Sequence, residues 1–289
     1  MSTQPAIRSG APPAKFASAV AWRWLTAVAV AVAAIHITTN GAYGFHRDEL
    51  QVLDDARHLA WGFVPYPPLT PGIERVSLML FGLSLRWLRL GAVLAQVGVL
   101  LFATLTAAEL GGGRFAQCLT ALAVAASPLP MFEATQFQYT GFDLLWMAAI
   151  VYSIACLLRT ANSRWWLAIG AFAGMGLMTK YSMAFYLIAL FFGLLLTPAR
   201  RYLRDRWFWY GLALAIAMVL PNLAWQADHH WISLTFLHSI HARDIGEGRT
   251  AGFWFDQLRI DAPLLATPLW VAGVVWLFLG RQGRWRVLG

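Results

Sequence analysis

The sequence predicts an all-α fold, a polytopic bundle of about eight transmembrane helices with interfacial helices in its first outer loop. Three observations predict it. Of the 289 residues, 59% are hydrophobic and only 12% are charged, whereas soluble domains carry about 45–50% apolar and about 25% charged residues. The mean hydropathy is +0.56. Apolar runs approaching the ~20 residues needed to cross a bilayer recur along the chain. This composition excludes a disordered chain, a disulfide scaffold and an ordinary soluble enzyme. Cys118 and Cys156 both sit within apolar runs, where a free cysteine behaves as a small hydrophobe.

The first run, about 20–37, follows Arg8, Lys15 and Arg23. It exceeds a usual signal-peptide core and lacks a clear cleavage site, so it reads as an uncleaved anchor. Seven more runs follow at about 90–110, 115–131, 142–158, 165–178, 181–197, 207–221 and 263–280. The stretch 69–83 is also apolar, but Glu74 and Arg75 interrupt it.

Charge decides that stretch. With 69–83 at the surface, 13 of the 22 Lys/Arg fall on one side with the N-terminus, beside only Glu109 and Asp205. The other side then holds 12 of the 14 acids. A crossing at 69–83 would scatter the basic loops over both faces. The positive-inside rule therefore predicts eight crossings with both termini cytoplasmic. It also accounts for the net charge of +8 without a nucleic-acid partner, because the arginines form no basic domain. The expected organisation is a cytoplasmic segment 1–19, a membrane domain 20–280 and a cytoplasmic end 281–289. The outer loops are expected at about 40–89, 128–142 and 221–262.

In the first outer loop, Leu50, Leu53, Ala56, Ala60 and Trp61 recur at helical spacing before Gly62, the pattern of a helix lying at the interface. Pro65, Pro67, Pro68 and Pro71 then stiffen the chain, and a second helix is expected over 72–83. Asp48 and Glu49 stand at the start of the first helix. By themselves they fit helix-dipole partners. Beside Arg47, Arg57 and Lys180 they also fit a general base close to phosphate-binding cations. Lys180, between two apolar spans, either snorkels to the surface or meets an anionic partner. Asp143 either begins a helix or lines an outer cavity with Glu133.

These residues carry a resemblance. Asp48-Glu49, the helix end Ala56-Arg57-His58-Leu59-Ala60-Trp61-Gly62, then Pro67-Pro68-Leu69, Trp87-Leu88-Arg89-Leu90 and Gly176-Leu177-Met178-Thr179-Lys180 together resemble GT-C glycosyltransferases. The relatives are the dolichyl-phosphate-mannose protein mannosyltransferase-like family, family 39, and the bacterial aminoarabinose transferase. The resemblance runs from about residue 40 to 280. It implies sugar transfer, with inversion, from a polyprenyl-phosphate donor to a hydroxyl of a lipid, glycan or protein acceptor. The setting it implies is the outer face of a bacterial inner membrane. It casts Asp48 as base or acceptor-orienting group, Glu49 as its assistant or as a group that holds neighbours in place, and Lys180, Arg57 and Arg47 as donor-phosphate ligands. It places Asp143, Glu133, Tyr66, His241 and Asp244 around the cavity. The aminoarabinose transferase has a lysine where this chain has Tyr66, which favours a different sugar. Relatives continue beyond the end of this chain, so a shortened or partial chain is expected.

In the late outer segment, His238 and His241 are spaced to share a helix face. With Asp244 they could hold a divalent ion, although no cofactor or metal is required. Gly246 and Gly248 fit either a mobile flap over the cavity or an ordinary interfacial loop. A transporter or flippase of lipid-linked intermediates would carry ionisable residues within its spans and repeated halves. Here the acids gather on one face, which favours surface chemistry. An inactive membrane scaffold is the third reading.

Overall fold

A computed structural model describes residues 18–250, 252, 267–279 and 283–288. No strand occurs among the described residues. The helices are α1 (Trp22–Thr39), α2 (Arg47–Arg57), α3 (Leu69–Phe81), α4 (Leu85–Leu88), α5 (Leu90–Glu109), α6 (Arg114–Ala126) and α7 (Pro128–Glu133). They continue as α8 (Tyr139–Thr160), α9 (Trp165–Leu177), α10 (Met183–Leu195), α11 (Arg206–Asp228), α12 (Ile232–Gly246) and α13 (Thr267–Leu279). Short 3-10 turns occupy Pro198–Arg204 and Gly283–Leu288.

Each of the eight predicted apolar runs contains a helix among the described residues, but their lengths differ. Four described helical stretches are long and apolar enough to cross a membrane alone: α1, Leu85–Glu109, α8 and α11. A fifth candidate joins α10 to the 3-10 turn after it, bent by 109°. Helices α6 and α9 have 13 residues each, a rise of about 20 Å against a hydrocarbon core of about 30 Å. By length and composition the described helices therefore supply four or five spans, against the eight predicted.

Two boundaries move for reasons of proline chemistry. The run expected over 115–131 breaks at Ser127, which is extended (φ −68°, ψ 129°) because Pro128 follows it. Pro128 then opens α7 from its first position, where its missing N–H costs nothing. By contrast Pro221 does not end its helix, since α11 runs through it to Asp228. The third outer loop thus loses its expected start at 221. In the first loop α2 stops at Arg57 rather than near Gly62, while the second helix starts at Leu69, three residues early. Residues 1–17 and 253–266, with the expectations placed on them, lie outside the described residues.

The core centres on α8, whose Ile150, Ile154 and Leu157 are fully buried among Trp166 and Ile169 of α9 and Met183 and Leu194 of α10. Trp285 and Val287 of the C-terminal turn join it. Between apolar helices in lipid, close van der Waals packing drives association. Helix α9 meets α11 at Gly170 and Gly211, where a Cβ on Gly170 would lie 2.1 Å from the Gly211 carbonyl oxygen. At the loop ends of α5 and α8 opposite the first loop, Arg159 forms an ion pair with Glu109.

Four side chains and one backbone amide fasten the first loop to one end of the bundle. Asn40 donates to the Ala134 carbonyl (2.9 Å) and Tyr43 to that of Thr135 (2.7 Å). Asn222 of α11 donates to the Trp61 carbonyl (2.8 Å), and Ser233 to that of Phe63 (3.1 Å). The Leu69 amide donates to the Met178 carbonyl (2.9 Å). The proline segment is thereby pinned beside the turn that carries Lys180.

Candidate active site

The site begins with the cap of α2. The sequence His46-Arg47-Asp48-Glu49 makes a capping box: His46 Nδ1 accepts from the Asp48 amide (3.3 Å), and Glu49 accepts from the His46 amide (2.8 Å). Such a cap satisfies amides that the first turn leaves free. It also turns Glu49 inward, with 3% exposure.

Glu49 is saturated there. Arg89 donates to it through Nε (2.7 Å) and Nη2 (2.6 Å), and the Phe137 amide donates as well (2.8 Å). Arg89, fully buried, also donates to the carbonyls of Asn40 (2.6 Å) and Gly44 (2.9 Å) and lies 4.3 Å from the Tyr43 ring centroid. A carboxylate with this many donors holds structure, and few of its lone pairs are left for a substrate. Sequence reasoning placed Arg89 only within a family motif. Its one signal was an arginine at the mouth of an apolar span, where a charge needs a partner. Glu74 of α3 is also buried, and its Oε2 has no partner. Burial pushes its carboxyl up to about 8, with Glu49 adding to the rise.

Asp48, one residue earlier, points about 100° around the helix from Glu49 and remains 39% exposed. It accepts from Arg47 Nε (3.2 Å) and Gln138 Nε2 (3.4 Å). Gln138 precedes Tyr139, the first residue of α8. The Tyr139 ring lies 5.4 Å from the Tyr66 ring, and Lys180 Nζ lies 5.1 Å from its centroid. Glu133 and Asp143 both lie within the electrostatic reach of Lys180. Burial pushes the Glu133 carboxyl up, and Lys180 offsets part of that. The structure therefore brings Asp48, Tyr66, Glu133, Tyr139, Asp143 and Lys180 to one end of the bundle, with Tyr139 close to Lys180 and within electrostatic reach of Asp48.

Other expected residues stand apart. Tyr66 is buried and donates to Asp55 (2.5 Å), an aspartate whose carboxyl burial pushes up. The hydrogen bond and burial hold the Tyr66 hydroxyl protonated. Arg57 is exposed in the last turn of α2, about 13 Å along the axis from Asp48. Arg47 is exposed and bound only to Asp48. His241 and Asp244 lie on α12, where Asp244 pairs with Arg243 (3.1 Å) and Arg249 (3.6 Å). No described contact joins them to Asp48 or Lys180. Among the described residues no three His, Cys, Asp or Glu side chains converge on a possible metal position.

Residues 66–225, more than half of the chain, match the model of the dolichyl-phosphate-mannose-protein mannosyltransferase family. The chain belongs to this family. It is a membrane glycosyltransferase family, and its apolar helices make the chain an integral membrane protein. The matched segment contains Arg89, Glu133, Tyr139, Asp143 and Lys180, while Asp48 and Glu49 precede it. Comparison with curated proteins and with solved structures finds no match.

Proposed function

We propose that the protein transfers a sugar from a polyprenyl-phosphate donor to the hydroxyl of a lipid, glycan or protein acceptor, with inversion. The proposed location is the outer face of a bacterial inner membrane. The observation that supports this reading is that Tyr139 lies 5.1 Å from Lys180 Nζ and within electrostatic reach of Asp48, itself bonded to the neighbouring Gln138. A base and a fixed cation at one end of apolar helices suit a hydroxyl nucleophile and a departing lipid phosphate.

An apolar groove supports the lipid part of the donor. Its volume is about 370 Å³, and Ile169, Ala173 and Leu177 of α9, Leu190 of α10 and Ala215 and Val219 of α11 are among its walls. Leu177 stands three residues before Lys180. A prenyl chain lying in the groove would bring its phosphate toward that lysine.

In the reaction so read, the acceptor oxygen attacks the anomeric carbon as the carbon–oxygen bond to phosphate breaks. The hydroxyl proton passes to Asp48. The electron pair leaves on the lipid phosphate, where Lys180 neutralises the growing charge. One displacement inverts the anomeric centre. Arg89 and Glu49 act by fixing the α2 turn that presents Asp48.

The test is Asp48→Asn in membranes supplied with a polyprenyl-phosphate sugar. Loss of a general base lowers the rate about 10²–10⁴-fold, with insertion and melting temperature unchanged. Wild-type transfer by this variant would sink the assignment.

A further inference from the structure

Beneath the site, a set of polar side chains is buried without partners. Both amide atoms of Gln96 in α5, Oε2 of Glu133 in α7 and both ring nitrogens of His36 in α1 are buried with no partner at good hydrogen-bond geometry, although His36 faces Gln96 and Asn40. Exposure is 3% for Gln96, 7% for Glu133 and 2% for His36. Such groups are costly to bury unless something satisfies them. Gln96 and Glu133 line one small cavity with Ala92, Val99, Pro130 and Gly141. Its volume of about 10 Å³ is close to the minimum for one water molecule. The His36 ring lies against the side chains of Gln96 and Asn40, so the polar set runs from inside the bundle up to Glu133.

We propose that this cavity is a hydration site whose water bridges Gln96 and Glu133, and that Glu133 held in this way is a positioning residue for Lys180. A buried water normally makes about three hydrogen bonds to groups the protein leaves unsatisfied. Here the Gln96 amide offers both a donor and an acceptor, and Glu133 Oε2 offers the third position. The bridge fixes the carboxyl rotamer. Glu133 then acts on Lys180 through its charge, while the Tyr139 ring lies 5.1 Å from the Lys180 Nζ. The water site stands on the cavity alone, whereas the role toward Lys180 rests on the donor reading above.

Two measurements test the two parts separately. An experimental structure of the full chain in nanodiscs, at a resolution that places waters, should show one water within hydrogen-bond distance of Gln96 and Glu133. A dry cavity, or a direct Gln96–Glu133 bond, overturns the hydration site. The second measurement is binding of polyprenyl phosphate, followed by tryptophan fluorescence, with KM and kcat taken on polyprenyl-phosphate mannose. Glu133→Leu should weaken binding and raise KM about tenfold with kcat nearly retained. Glu133→Gln, which still bonds the water, should restore both to within about threefold. Gln96→Met, of similar volume, should resemble Glu133→Leu at an unchanged melting temperature. Equal binding by all variants, or a loss in kcat alone, overturns the positioning role. If the wild type itself binds no polyprenyl phosphate, the donor reading fails and with it the role assigned to Glu133, while the water is judged by the first measurement.

Discussion

Arg89 and Glu49, forty residues apart in sequence, meet in a buried two-pronged ion pair with Nη2 2.6 Å from Oε2. Neither side chain has more than 4% exposure. Buried pairs contribute modestly as a pair, but breaking one strands a charge. Arg89→Met should therefore destabilise the protein by about 3–5 kcal/mol, read as thermal unfolding in detergent. The double variant Glu49→Gln with Arg89→Met should recover much of that loss. A single-variant melting curve identical to wild type would refute the role given to this pair.

Glu74 gives the chain a pH dependence. Its carboxyl ordinarily ionises near 4.5 and is raised to about 8 by burial in the fold. Between those values the folded state keeps a proton that the unfolded chain has lost. Stability contributed by this proton falls as pH rises through the window and levels off above 8. Glu74→Gln should flatten the slope between pH 5 and 8 and raise the melting temperature at pH 8. Parallel melting profiles for the two proteins would contradict it.

Lys180→Met should act on the donor. Losing a charge-assisted contact of about 1.5–3 kcal/mol corresponds to about a 10–100-fold weaker grip on polyprenyl phosphate. Acceptor KM should stay close to wild type. Titration with donor and with acceptor separates the two, and an effect confined to acceptor would reassign the lysine.

Gly170→Ala should push α9 from α11, because its Cβ would fall 2.1 Å from the Gly211 oxygen. Overpacking of this kind costs about 1–3 kcal/mol. Gly72→Ala in α3 meets nothing within 4 Å and serves as the control, gaining about 0.5–1 kcal/mol from helix propensity. Equal melting temperatures for the two variants would show that α9 and α11 yield freely.

The apolar runs made the helices legible because hydrophobicity and length are local properties. The cap at His46 and Glu49 is local too, and it placed Asp48 at a helix start. Pairing across space was not legible. Glu49 looked like an assistant to Asp48 or a holder of neighbouring groups, and the neighbours themselves, Arg89 and the Phe137 amide, lay 40 and 88 residues away. Proline misled in two directions, since Pro128 ends a helix that looked continuous and Pro221 fails to end one that looked finished. Both outcomes depend on neighbours rather than on the residue. The histidines of α12 have spacing without convergence, because convergence requires ligands from a second element.

Pro221 gives α11 two unequal halves. It has no N–H to offer the Ala217 carbonyl, so the helical ladder has a gap there. On one side of the gap, Gly211 and Ala215 wedge against α9. On the other, Asn222 and Gln226 hold the Trp61 carbonyl and the Tyr181 and Ser233 hydroxyls. The first half packs into the body of the bundle, and the second fastens the first loop, the turn at Tyr181 and α12. One helix thus serves two unlike neighbours, and the place where its backbone ladder lacks a rung is where apolar packing gives way to polar fastening.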